Sequence, residues 1–160
     1  MRNLRHLVGG LLLALAACAG PSGPLFPEVA GTVPPVPADR SRIYFYRDYE
    51  PYESLTRAIL YLNGMQTGVS VPGGVFYRDV APGTYIIAPW SQGDFPNAAK
   101  TVVLRPDDTF YAKVLSLRAW QSGGGTRYQR DTFIVMLIDP AQAQRELATM
   151  RYVQAEEGPG

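Results

Sequence analysis

Arg42-Ile43-Tyr44-Phe45-Tyr46-Arg47 decides the fold. The run is dense in β-formers, and its alternation sets Ile43 and Phe45 on one face of a strand and Tyr44 and Tyr46 on the other. Both faces therefore carry large side chains. The tyrosine face either lies under another part of a sandwich or stays open as a binding surface.

Toward the C-terminus the chain reads as short strands separated by turn signals. Asp48 to Thr56 is a polar loop in which Tyr49 and Tyr52 flank Pro51. Arg57 to Leu62 is a second strand, and Asn63-Gly64, which tolerates positive φ, predicts a hairpin returning through Met65 to Val71. Pro72-Gly73-Gly74 breaks that strand. Val75 to Val80 follows, then Ala81-Pro82-Gly83-Thr84 as an expected type II turn into Tyr85 to Ala88. Trp90 stands at the edge of a loop from Ser91 to Asn97. Lys100 to Leu104 and Thr109 to Leu117 flank Pro106-Asp107-Asp108, which predicts another hairpin, and Gln121 to Gly125 is a glycine-rich connector.

Thr132 to Ile138 is apolar throughout apart from Thr132, which predicts a central strand covered on both faces. Asp139 then starts a helix as its N-cap, with Pro140 in the first turn and Gln142 as a capping-box partner. Ala143, Leu147 and Met150 share one face of it and should pack on the sheet. Seven or eight short strands with intervening turns predict a mainly β fold. The expected form is a small antiparallel β-sandwich, prealbumin- or immunoglobulin-like, with a C-terminal helix. A partly open barrel is the rival architecture.

The N-terminus is of another kind. Arg2 and Arg5 make a short basic region, and Leu7 to Ala17 is apolar or small, the length of a signal-peptide core and too short to span a bilayer. It ends in Leu15-Ala16-Ala17-Cys18, which holds the only cysteine of the 160 residues. One cysteine in an exported domain cannot form an internal disulfide. The four residues resemble the lipobox of bacterial lipoproteins. That resemblance implies cleavage between Ala17 and Cys18 and a covalent diacylglyceryl lipid on the Cys18 sulfur, with the cysteine becoming the new N-terminus. Ala19, not aspartate, follows, which by the same analogy implies the outer membrane, facing the periplasm. The expected organisation is a signal peptide over 1–17, a lipidated cysteine with a Pro/Gly-rich tether over 18–40, a sandwich with its helix over 41–153, and a frayed tail over 154–160. The tether's prolines predict a semi-extended coil reaching on the order of 65 Å.

With the strands laid out, the domain resembles bacterial lipoproteins that carry the domain of unknown function numbered 2846. The likeness lies in Arg42 to Arg47, Leu62-Asn63-Gly64 with Gly68, Phe76 before Val80, Ala81-Pro82-Gly83-Thr84-Tyr85, and Ala143, Arg145, Glu146 and Leu147. It covers residues 41 to 152, and the tyrosine-bearing stretch Asp48 to Ser54 departs from it. It implies a small β-sandwich on a lipid anchor, with no assigned activity and no catalytic residues to carry over.

Composition narrows the chemistry. Removal of residues 1–17 takes Lys plus Arg from 15 to 13 against 14 Asp plus Glu, so no basic field invites nucleic acid. It also removes His6, the only histidine. A Ser-His-Asp or Cys-His arrangement and the usual His/Cys zinc sites are thereby excluded from the mature chain. The candidate carboxylates for glycosidase chemistry, Glu53, Asp107, Asp108, Asp131 and Asp139, sit where turns, caps or surface charge explain them. The expectation is a non-enzymatic protein without a cofactor beyond its covalent lipid, and without a metal. It would bind an envelope protein partner or, alternatively, a glycan such as peptidoglycan or polysaccharide. Tyr44, Tyr46, Tyr77 and Trp120 are further aromatics to place, but Tyr49, Tyr52 and Trp90 are the candidate binding surface.

Overall fold

The computed structural model describes residues 21–50, 55–91, 97–117 and 132–155. In chain order these form α1 (Phe26–Val29), β1 (Ser41–Tyr46), β2 (Ala58–Leu62), β3 (Met65–Ser70), β4 (Gly74–Val80), β5 (Gly83–Pro89), β6 (Lys100–Leu104), β7 (Thr109–Leu117), β8 (Thr132–Leu137), α2 (Pro140–Leu147) and β9 (Arg151–Tyr152). The strands make two sheets, a five-stranded one in the order β8-β7-β1-β4-β9 and a four-stranded one in the order β3-β2-β5-β6. The fold is a small β-sandwich with a short C-terminal helix.

β1 lies at the centre of the five-stranded sheet, and its alternation divides as its sequence requires. Ile43 and Phe45 enter the core between the sheets with Leu60, Phe76, Ile87, Val114, Phe133 and Val135, all buried. Tyr46 faces the other way and is fully buried with Val75, Tyr111, Ala143, Leu147 and Met150, with Tyr44 and Phe26 packed alongside. The tyrosine face is thus covered by the two helices, not by the second sheet. Tyr44 stacks on Tyr111 at 5.4 Å and meets the edge of Phe26 at 5.7 Å.

α2 begins as its sequence directs. The Asp139 carboxylate accepts hydrogen bonds from the backbone N–H of Ala141 (2.9 Å) and Gln142 (3.3 Å), with Pro140 as the first helical residue. The Gln142 side chain does not turn back to complete a capping box; it donates forward to Glu146 at 2.9 Å. Ala143, Leu147 and Met150 form the buried face as expected.

The strand connections depart from the expected hairpins. Asn63 and Gly64, at φ 49° and 80°, do close β2 on β3. The other turn signals are corners between sheets. β4 belongs to the five-stranded sheet and β5 to the four-stranded one, so Ala81-Pro82 carries the chain across the sandwich. Gly83 opens β5 at φ 156°, far from the roughly +80° of a type II turn, and the Tyr85 hydroxyl holds the corner by donating to the Ala81 carbonyl at 2.9 Å. Likewise β6 pairs with β5 while β7 pairs with β1, in parallel, so Pro106-Asp107-Asp108 is a crossing and not a hairpin. β4 and β9 are also parallel. The Thr132 to Ile138 run forms β8 at an edge, not in the centre. Phe133 and Val135 are buried, and backbone bonds from Phe133 to the Ser91 hydroxyl and from Val135 to the Ala98 carbonyl occupy part of the edge, while Met136 and Leu137 emerge 41% and 40% exposed.

Residues 21–40 are not a free coil. Leu25 bridges Arg151, Phe26 N–H donates to the Met150 carbonyl, Tyr152 N–H donates to Pro24, and the Arg151 guanidinium reaches Gly23 at 2.6 Å. Further on, Arg42 donates to the Pro34 carbonyl at 2.7 Å. Proline does not forbid the short helix α1, because Pro27 lies in its first turn, where a missing N–H costs nothing. Gly23 is required by this docking, since a Cβ there would run into the Tyr152 carbonyl. Cys18 and the rest of residues 1–20 lie outside the described residues, as does the tail from 156.

Gly68 on β3 lets the Phe76 ring cross the core close to the backbone: a Cβ would stand 2.6 Å from two ring carbons. Gly68→Ala should therefore cost about 1–3 kcal/mol by overpacking, read as a lower urea midpoint at unchanged slope. An unchanged midpoint would mean that the ring moves aside freely.

Candidate functional site

The two sheets differ in what covers their outer faces. The five-stranded sheet is roofed by α1 and α2. On the four-stranded sheet the inward positions are Ala58, Leu60, Leu62, Ile87, Val102 and Leu104, so the intervening residues Ile59, Tyr61, Gln66, Val69, Thr84, Ile86, Ala88, Thr101 and Val103 point outward. Among the described residues no helix or strand lies over them.

This face is uncharged, and apolar apart from Gln66, Thr84 and Thr101, where an open antiparallel sheet ordinarily carries many polar and charged groups. The register sets Ile59 opposite Val69, Tyr61 opposite Ala88, and Ile86 opposite Thr101. None of its outward strand positions carries a charge. Lys100, the one charged residue in these four strands, stands opposite Ile87 and so is in phase with the inward set. Ile86 is 50% exposed and Val103 64%. Trp90, 46% exposed, continues the face one residue past β5, its N–H donating to the Ile59 carbonyl at 2.7 Å.

The sequence-derived candidates are thereby separated. Trp90 belongs to this open face. Tyr49 is exposed at the same end of the sandwich but follows β1 of the other sheet, with its Cβ against Gly73 and Pro21 close by. Tyr52, Trp120, Glu53 and Asp131 lie outside the described residues, as do Ala17 and Cys18. Tyr44, Tyr46 and Tyr77 are packing residues. Tyr77 stands 5.8 Å from Tyr44 and lies under the Arg42 guanidinium at 4.1 Å. Asp108 accepts from Arg105 N–H at 2.7 Å within its turn, and Asp139 caps α2. Ile59, Tyr61, Val69, Ile86 and Val103 were not singled out by sequence reasoning; the available signal was the missing charge at alternate positions of four strands.

The densest group of ionisable side chains lies on the helical side. Lys113 is 2.5 Å from Asp48 and 3.0 Å from Glu146, and Glu146 also accepts from the buried Tyr46 hydroxyl at 2.7 Å. Burial acts to lower the Lys113 pKa, but hydrogen bonds and charge from Asp48 and Glu146 outweigh it and the pKa is raised. Burial acts to raise Glu146, and hydrogen bonds from Gln142, Tyr46 and Lys113 overcome it and hold the carboxyl below its ordinary value. Tyr46 is raised, first by burial and then by Glu146. A lysine kept as ammonium and a tyrosine kept neutral are poorly suited to act as a base or nucleophile, and the cluster pins α2 to β1 and β7. Among the described residues no three His, Cys, Asp or Glu side chains group to hold a metal ion, and no helix is long and apolar enough to cross a membrane. No family model and no curated protein matches the chain.

The depressed Glu146 carboxyl contributes stability above its unfolded pKa of about 4.3, and that contribution is lost as pH falls through the lower folded value. Glu146→Gln should thus cost about 1–3 kcal/mol near neutrality, with the deficit shrinking toward pH 3, in urea titrations at both pH values. A deficit independent of pH would remove the carboxylate's charge from the account.

Proposed function

We propose that the protein is a non-enzymatic lipoprotein of the outer membrane, exposed to the periplasm through its Cys18 lipid, that docks an envelope protein on the outer face of its four-stranded sheet. One observation supports this above the rest. The fold roofs one sheet with two helices and leaves the other with an uncharged, largely apolar face. Contiguous exposed apolar surface is the usual mark of a partner site on a protein that must stay soluble. An uncharged, largely apolar sheet face fits adhesion better than turnover. The likeness to lipoproteins carrying the domain of unknown function 2846 agrees with a lipid-anchored sandwich, as does the lipobox of Leu15 to Cys18.

A second reading is a glycan-binding module. Trp90 and Tyr61 on the same face favour it, because aromatic rings on an open sheet suit stacking on sugar rings.

A photo-reactive residue at Ile86 or Val103 should cross-link a protein of defined mass in the intact envelope, and the same residue at Gln144 on α2 should not. With the photo-reactive residue placed instead at Thr101, opposite Ile86, the pair Ile86→Thr with Val103→Thr should abolish the adduct while changing stability by about 1 kcal/mol or less, as exposed strand positions allow. Equal labelling from both faces would overturn a protein site here. If the domain instead sediments with sacculi and Trp90→Ala abolishes it, the glycan reading replaces the first.

A further inference from the structure

The chain's N-terminal segment returns the domain to its own anchor. Pro21 lies beside Gly73 and Tyr49: a Cβ on Gly73 would stand 3.3 Å from the Tyr49 Cβ and 3.6 Å from the Pro21 ring. The segment that follows is held by Gly23, Pro24, Leu25 and Phe26 against Met150, Arg151 and Tyr152. Between Cys18 and Pro21 there are only three peptide links, which span at most about 11 Å. A lipid on Cys18 therefore brings the membrane within that distance of Pro21, beside Tyr49, in place of a spacer on the order of 65 Å.

The same end of the sandwich carries exposed apolar side chains. β1 ends there, β2 and β4 begin there, and β3 and β5 end there, because the Val71–Gly73 link from β3 to β4 is only three residues long. Tyr49 is 55% exposed, Leu55 57% and Trp90 46%. Amphipathic aromatic rings are the side chains that settle at the boundary of headgroups and acyl chains. The opposite end bears the Asn63-Gly64 hairpin and the Ala81-Pro82 and Asp107-Asp108 corners.

We infer that this end, through Tyr49, Leu55 and Trp90, rests in the headgroup layer of the membrane that holds the Cys18 lipid, with the long axis of the sandwich pointing away from it. The inference rests on the lipid-anchor reading of Cys18. It adds an orientation and a lipid contact to that reading. The open face of the four-stranded sheet then stands roughly upright on the membrane, where a partner reaches it from the side.

The test uses the full-length protein, processed in cells and reconstituted into phosphatidylethanolamine/phosphatidylglycerol vesicles. The chain has no cysteine besides Cys18, so single cysteines replacing Tyr49, Leu55, Met65 or Asp107 can each carry an environment-sensitive dye. Dyes at 49 and 55 should shift to the blue and be quenched several-fold more by lipids spin-labelled near the headgroup than dyes at 65 and 107. Gly23→Ala, which obstructs docking, should remove that contrast while the core remains folded by circular dichroism. Phe26→Ser serves as a second undocking variant. Equal quenching at both ends in acylated protein would overturn the orientation and leave the anchor standing. Intact mass showing an unmodified Cys18, with protein found in the soluble fraction, would overturn the anchor and this inference with it.

Discussion

A strand whose two faces both carry large apolar side chains must be covered twice, and β1 imposes that demand on the whole domain. Ile43 and Phe45 call for a second sheet, while Tyr44 and Tyr46 call for a second layer on the other side. The layer is supplied by distant parts of the chain, α2 from the C-terminal region and α1 from the N-terminal one. At the start of the strand Arg42 continues the tyrosine face. It is 3% exposed, its guanidinium pairs with both Asp79 oxygens at 2.7 Å, and it also binds the Pro34 carbonyl and lies over Tyr77. The planar fork satisfies a carboxylate, a carbonyl and a ring at once, and a lysine could not do so. The bond to Asp79 and the neighbouring Tyr44 outweigh its burial and raise its pKa further above an already high value, so the charge persists.

Much of this was legible locally. Alternation assigned the two faces of β1, Asn63-Gly64 named its hairpin, and Asp139-Pro140 with Ala143, Leu147 and Met150 specified a capped helix and its buried face. Sheet membership was not legible. A Pro-Gly or Pro-Asp-Asp signal states that the chain turns, but not whether the next strand pairs beside the last or crosses to the other sheet. β8 misled for a related reason. A long apolar run implies cover on both faces, yet its edge position is tolerable because Ser91 and Ala98 bond to its backbone and its last residues emerge into solvent. In residues 21–40 the weight given to proline hid the informative residues, Leu25 and Phe26, an apolar pair that a free spacer has little use for.

The candidate face illustrates the converse. Tyrosines attracted functional expectation because they are conspicuous, and most described ones proved to be packing. The uncharged outward positions of β2, β3, β5 and β6 become visible only when four strands are aligned in register. Absence of charge at single residues is unremarkable; its repetition over a whole sheet face is not. This separates the polar work of the domain, concentrated at Lys113, Glu146 and Arg42 on the helical side, from the surface left open on the other.

The meeting of the chain's two ends has a consequence for biogenesis. Residues 23–26 dock on residues 150–152, so the first part of the domain to be synthesised is among the last to find its place. Contacts of such sequence separation form late, after their loop entropy has been met by the rest of the sandwich. A chain already acylated at Cys18 would therefore begin as a long leash and end as a short one. Completion of folding would itself draw the domain down from an extended position to rest beside its lipid.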